Sequence, residues 1–176
     1  MILKNNVDTV DKVWNNAVDL YDQKLCLGTR KVIGEEEEKQ DNGKMFKKLN
    51  LGEYEWINYQ QAHKISTQFG SGLIRLGQQP KMPIAIYAET KAEWMMSALG
   101  AFSQSIIVST LYTNLGDDAV SHGINETQVS VVITSHALLP KFKTMLKSCP
   151  KVKHIIVIED QIAKTCIEDF KDKVEV

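Results

Sequence analysis

From Pro83 onward the chain alternates four short β-rich apolar runs with three segments of helical spacing, and this alternation restricts the fold more than any other feature. IAIYA (84–88), SIIVS (105–109), VSVVIT (129–134) and HIIVIE (154–159) read as strands. Residues 91–103, 115–125 and 140–148 read as the helices between them. The last opens on Pro140, whose missing N–H costs little in a first helical turn. Such an order implies parallel strands joined by right-handed crossovers, with helices on the sheet faces. The runs are apolar at nearly every position, as strands covered on both faces should be. The expected fold class is therefore α/β, a partial doubly wound parallel sheet with flanking helices, preceded by an N-terminal helix and short strands.

The N-terminal part carries other signals. Val10, Val13, Trp14, Ala17, Val18 and Tyr21 have helical spacing behind Asp8 or Thr9 as cap, which predicts an amphipathic helix. Residues 25–33 look extended. EEEEKQDNG (35–43) predicts a solvated loop, since four adjacent glutamates repel one another and nothing nearby suggests coordination. Two short strands, MFKKLNL and YEWINY, follow, joined through Gly52. Asn58 and Gln61 have capping-box spacing, and Ala62, Ile65, Phe69, Leu73 and Leu76 form the apolar stripe of the next helix, ended by Gly77 and Pro80. Gly70-Ser71-Gly72 inside it reads as close helix packing. No strand precedes it, and Arg75 stands where a dinucleotide fingerprint needs its third glycine. One domain is expected over residues 1–176, with helix and short strands in 1–60 and the sheet portion in 61–176.

Charge and cysteine usage exclude several classes. The 21 basic and 22 acidic residues leave a net charge of −1, so no general field draws the chain to nucleic acid or anionic lipid. Cys26, Cys149 and Cys166 are odd in number and far apart, which fits reduced thiols in a cytoplasmic setting. MILKNNVDTV has no apolar region after its charge, and no run approaches the roughly 18 apolar residues that predict a transmembrane segment.

Ligands of an open parallel sheet sit beyond the carboxyl ends of its strands. The loops there are 88–90, 109–115, 134–139 and 159–161, and they offer Glu89, Thr90, Thr110, Tyr112, Thr113, Ser135 and His136. None holds a glycine-rich turn followed by a lysine, the pattern that cradles nucleotide phosphates. Thr90 and Glu93 have capping-box spacing, and Trp94, with Ala98 and Phe102 at i+4 and i+8, reads as a core anchor. His63, His122, His136 and His154 show no metal-ligand spacing. Cys149 and His154 could meet in space as a nucleophile pair, although a thiol before Pro150 at a helix end also has an ordinary structural explanation.

Several segments taken together resemble one family: LGTRKV (27–32), GKMFKKLNLGEYEWINY (43–59), FGSGLIRLG (69–77), IAIYAETKAEW (84–94), STLYTNLGDDAVSHGINET (109–127) and VKHIIVIED (152–160). Their order and spacing are similar to the N-terminal region of the long-chain acyl-CoA synthetases (long-chain fatty acid–CoA ligases) of the adenylate-forming, AMP-binding superfamily. The resemblance implies ATP-dependent activation of a long-chain fatty acid to an acyl-adenylate, with Mg2+ on the phosphates, followed by thioester formation with coenzyme A. It also implies an endoplasmic reticulum or other cytosol-facing membrane for the parent enzyme. The family's phosphate loop, adenine segment and catalytic lysine follow the region matched here. No catalytic, cofactor-binding or metal residue is therefore carried onto a position of this chain. The 176 residues alone are expected to be inactive and to hold no cofactor tightly. The alternative is a non-catalytic α/β module that self-associates, or pairs with a full-length ligase, through exposed sheet surface.

Overall fold

The computed structural model describes residues 7–170 together with 174 and 175. Helix α1 (Val10–Tyr21) starts at Thr9, whose Oγ1 accepts from the Lys12 backbone N–H at 3.2 Å. Val18 is its buried residue, while Val10 and Val13 stay exposed.

Strands β1 (Leu25–Lys39) and β2 (Met45–Asn58) pair antiparallel into one long hairpin. The expectation for residues 35–43 is corrected here: the four glutamates lie in β1, and the turn covers only the end of the segment. Alternation sends neighbouring glutamates to opposite faces, and β2 supplies cations across the ladder. Lys47 Nζ stands 3.4 Å from Glu35 Oε2, Lys48 Nζ 3.9 Å from Glu38 Oε2, and Asn50 Nδ2 donates to Glu36 at 2.7 Å. The turn closes with Gly43 at φ +79°, its N–H donating to the Gln40 carbonyl at 2.8 Å. The break at Gly52 is a ladder irregularity inside one strand. There the Arg30 guanidinium donates to the Leu51 and Gly52 carbonyls, each at 2.9 Å.

Helix α2 (Tyr59–Arg75) opens on the full capping box: Asn58 Oδ1 accepts from the Gln61 N–H at 2.8 Å and Gln61 Oε1 from the Asn58 N–H at 2.9 Å. Its buried face is Ala62, Ser66, Gly70 and Leu73, rotated from the expected stripe so that Ile65 is exposed. The rotation follows from α3 (Ala92–Ser103), which approaches α2 over small residues.

The remaining strands are β3 (Pro83–Tyr87), β4 (Ile107–Thr110), β5 (Val131–Ser135) and β6 (His154–Ile158), all parallel, in the spatial order β4-β3-β5-β6. Helix α4 (Asp117–Thr127) joins β4 to β5, and 3-10 turns around the short α5 (Phe142–Met145) lead to β6. The expected α/β class with a parallel sheet and flanking helices holds.

Strands β3, β5 and β6 alternate between two cores. Ile84, Ile86 and Ile133 face α2 and α3 with Leu73, Ala98 and Ala101; Trp94 and Phe102 pack against this cluster, half-buried. Ala85, Tyr87 and Val132 face α4 and α5 with Val120, Ile124 and Phe142. Fully burying side chains of this kind contributes about 1.5–3 kcal/mol each. Phe170 also enters the second core, and the Glu175 backbone continues onto the free edge of β6, its carbonyl accepting from the Ile155 N–H at 2.8 Å. Among the described residues no helix is long and apolar enough to cross a membrane.

Candidate functional site

The strand order reverses between β3 and β5, because the chain moves from β3 out to β4 and then crosses back. In open α/β sheets that reversal opens a crevice at the carboxyl ends of the strands. Every loop residue singled out from the sequence lies at this end of the sheet, but the residues do not converge on one point.

Glu89, Thr90, Thr110, Tyr112 and Thr113 come together with Trp94 around a cleft of about 270 Å³ between the loops after β3 and β4. The Glu89 Oε2 atom is buried there without a hydrogen-bond partner. Thr90 also lines a second cleft of about 400 Å³ between the hairpin and α3, beside Lys91, Arg30, Asp160 and Gln161. The capping box expected at Thr90 does not form. Lys91, extended at φ −139° and ψ 170°, is the residue preceding α3, and no side chain caps this end. Glu93 is thus the second helical residue instead of the third, out of reach of the reciprocal bond.

Ser135 is buried at the end of β5 with its hydroxyl unpaired, as is Thr134. Their side chains leave opposite faces of the strand, so they do not form one site. His136 is half-buried, and its Nδ1 lies 2.9 Å from Thr165 Oγ1. That hydroxyl gives its single hydrogen to Glu159 Oε2, which leaves the His136 ring to donate from Nδ1. Sequence reasoning missed Thr165, which lies 29 residues from His136 and has no local signal.

Lys141 was also missed. Its Nζ donates to the Tyr87 hydroxyl at 3.1 Å and stands 3.6 Å from Asp117 Oδ1. The Tyr87 bond is the largest cause and raises the ammonium's pKa; burial, next in size, opposes it, and the Asp117 charge adds a smaller rise.

Cys149 and His154 have separate partners. The Cys149 thiol is 1% exposed and points at the Ser121 carbonyl, 4.0 Å away. Burial pushes its pKa up, away from a reactive thiolate. His154 Nδ1 lies 3.1 Å from Glu175 Oε2, outside hydrogen-bond geometry. Among the described residues no group of three or more His, Cys, Asp or Glu could hold a metal ion.

An apolar groove of about 320 Å³ runs between α2, α3 and strands β5 and β6, lined by Ile65, Phe69, Met96, Ile133 and Ile156 together with Glu93 and Glu159.

The model of the AMP-binding enzyme family matches residues 36–175. Long chain acyl-CoA synthetase 8 of Arabidopsis thaliana is 36% identical over 152 residues, covering 86% of this chain and 21% of the plant protein. Long-chain-fatty-acid–CoA ligase 2 of Schizosaccharomyces pombe is 30% identical over 164 residues, covering 87% of this chain and 24% of its own length. The A-PCP didomain of a carboxylic acid reductase from Segniliparus rugosus, solved with AMP, superposes with a TM-score of 0.71. It is 17% identical, and the match covers 92% of this chain and 22% of the didomain. The chain thus spans between a fifth and a quarter of the length of these relatives.

Proposed function

This chain belongs to the AMP-binding enzyme family, and from that premise we propose that it is the leading part of a long-chain fatty acid–CoA ligase. The parent reaction is ATP-dependent activation of a fatty-acid carboxylate to an acyl-adenylate, then thioester formation with coenzyme A. The 176 residues contribute scaffold to that enzyme and do not catalyse the reaction alone. What supports the second statement is the chemistry at the strand ends. A triphosphate needs converging backbone N–H groups or cations. The loop after β3 instead presents Glu89, with a buried carboxylate oxygen that would repel phosphate. The residues here do not fit nucleotide phosphates or their Mg2+, and we assign no catalytic, cofactor-binding or metal residue of the ligase to this chain.

Purified chain incubated with ATP, Mg2+, a long-chain fatty acid and coenzyme A is expected to give no acyl-CoA above background. It should also give no exchange of pyrophosphate into ATP. Sustained turnover in either assay would defeat this reading. For the parent enzyme we propose a cytosol-facing membrane such as the endoplasmic reticulum, with this chain by itself cytoplasmic; fractionation of cells expressing each checks both statements.

A second reading is a non-catalytic module that pairs with a full-length ligase. The apolar groove beside β6 favours it, because Ile65 on its wall is 41% exposed. Gel filtration with and without the full-length enzyme separates the two: co-elution supports pairing, and independent migration removes it.

A further inference from the structure

We propose that the outer edge of β2 pairs with the same edge of a second copy of this chain, joining two hairpins into one four-stranded antiparallel sheet. The proposal does not depend on the ligase reading. Strand β2 runs for 14 residues and, among the described residues, pairs with β1 alone. The backbone groups along its other side are open to a further strand, except at Leu51 and Gly52, whose carbonyls accept from Arg30. The strand holds no proline, and Phe46, Leu49, Tyr54 and Trp56 are each between 47% and 56% exposed. Lysines and a bulge ordinarily guard such an edge, and β2 has both, at Lys47, Lys48 and Gly52. A second copy matches each of them.

The register of β2 on β1 decides how two copies align. Arg30 stands opposite Tyr54 and Val32 opposite Leu51, so β2 carries an extra residue at Gly52 or Glu53. Alternation shifts there: Lys47, Leu49, Leu51, Tyr54 and Trp56 share one face, and Phe46, Lys48, Glu55 and Ile57 the other. Leu49, Leu51 and Tyr54 accordingly line one cleft, and the Tyr54 and Trp56 rings lie 5.5 Å apart. A two-fold axis normal to the sheet brings like faces together. Centred between Leu51 and Gly52, it sets Lys48 opposite Glu55 of the second copy, Lys47 opposite Trp56, Leu49 opposite Tyr54 and Phe46 opposite Ile57. Both cations then meet a carboxylate or an aromatic face, and the apolar side chains meet each other. Sliding by two residues sets Phe46 against Glu55 in one direction, and in the other leaves both lysines without a carboxylate or ring across the seam. The axis makes every contact twice and closes the pair, so the product is a dimer.

The test is sedimentation of the full chain over a range of concentrations. A monomer–dimer equilibrium is expected, with a dissociation constant of about 1–100 µM. Lys48→Glu and Glu55→Lys each place like charges across the seam twice, and each should weaken the dimer about tenfold or more. Mixed in equal amounts, the two variants set opposite charges at both contacts, so a heterodimer should form with near wild-type affinity. A wild type that stays monomeric at about 1 mM would overturn the proposal, as would open-ended polymers. A dimer that Lys48→Glu leaves unchanged, or a mixture of the variants no tighter than either alone, would do the same. Amide exchange of the wild type is a second arm that needs no variant. Protection of alternate β2 amides within 46–50 and 53–57 should rise with protein concentration, while that of Val108 on β4 should not. Protection in β2 that is independent of concentration across the dimer transition would also defeat the proposal.

Discussion

Gly70 of α2 and Gly100 of α3 bring two helix backbones into contact: a Cβ on Gly70 would stand 2.5 Å from the Gly100 carbonyl oxygen. A Cβ on Gly100 would in turn collide with the Ser66 carbonyl and lie 3.0 Å from the Gly70 nitrogen. Both obstacles are backbone, so neither can swing aside. Gly70→Ala and Gly100→Ala should each destabilise by about 1–3 kcal/mol net of the helix-propensity gain. Gly72 has nothing within 4 Å of its would-be Cβ, so Gly72→Ala should stabilise by about 0.5–1 kcal/mol. Midpoints of urea denaturation for the three variants check the contrast.

The same spacing rule gives two caps, and the structure builds one. Asn58→Ala removes a formed capping box and should cost about 1 kcal/mol. Thr90→Ala removes a residue that caps nothing and should change stability by less than about 0.5 kcal/mol. Equal losses in equilibrium unfolding would show that Thr90 does cap α3 in solution.

What was legible follows the range of the forces. Strands β3 to β6 are single apolar runs bounded by helical segments, and their pattern is local, so their order and parallel sense could be read. The hairpin could not. Glu35 to Glu38 are poor strand formers in isolation, and the lysines that balance them stand on another strand, at Lys47 and Lys48. At the candidate site the strand-end rule named Glu89 and His136, because it needs only strand positions. It could not name Thr165, nor Gln161, which bonds the hairpin backbone across 129 residues. The shift of the α3 start by one residue is a backbone geometry that two polar residues at the right spacing do not encode.

Sheet order makes a prediction for hydrogen exchange. Strands β3 and β5 are central and buried at every position but Pro83, whereas β4 and β6 are the edges. The Ile107 and Leu111 N–H groups donate to Met82 and Ile86 carbonyls, at 3.1 and 3.0 Å. Alternation then turns the Val108 and Thr110 N–H groups away from β3. Ile86 and Ile133 should exchange slowest, Ile107 and Leu111 faster, and Val108 and Thr110 without protection. Strong protection of Val108 would mean that a second molecule pairs with this edge, testable by repeating the measurement at several protein concentrations.

The base of the hairpin should respond to acid. Asp160 Oδ1 accepts from the Ile162 and Ala163 N–H groups, each at 2.8 Å. This turn holds Gln161, whose Oε1 accepts from the Val32 N–H at 2.9 Å and whose Nε2 donates to the Arg30 carbonyl at 3.1 Å. The Ala163 N–H first, then that of Ile162, lowers the Asp160 pKa below its ordinary 3.8. A carboxyl whose pKa falls on folding contributes fully above its unfolded value, and that contribution is lost as pH drops through the folded value. Amide protection at Val32 should therefore be constant at neutral pH and decline below about pH 4. In Asp160→Asn it should be lower at neutral pH and show no such decline, and Gln161→Ala should remove it at every pH. Val32 protection in the wild type that persists to about pH 2, or an acid decline that survives in Asp160→Asn, would assign the transition to another carboxylate.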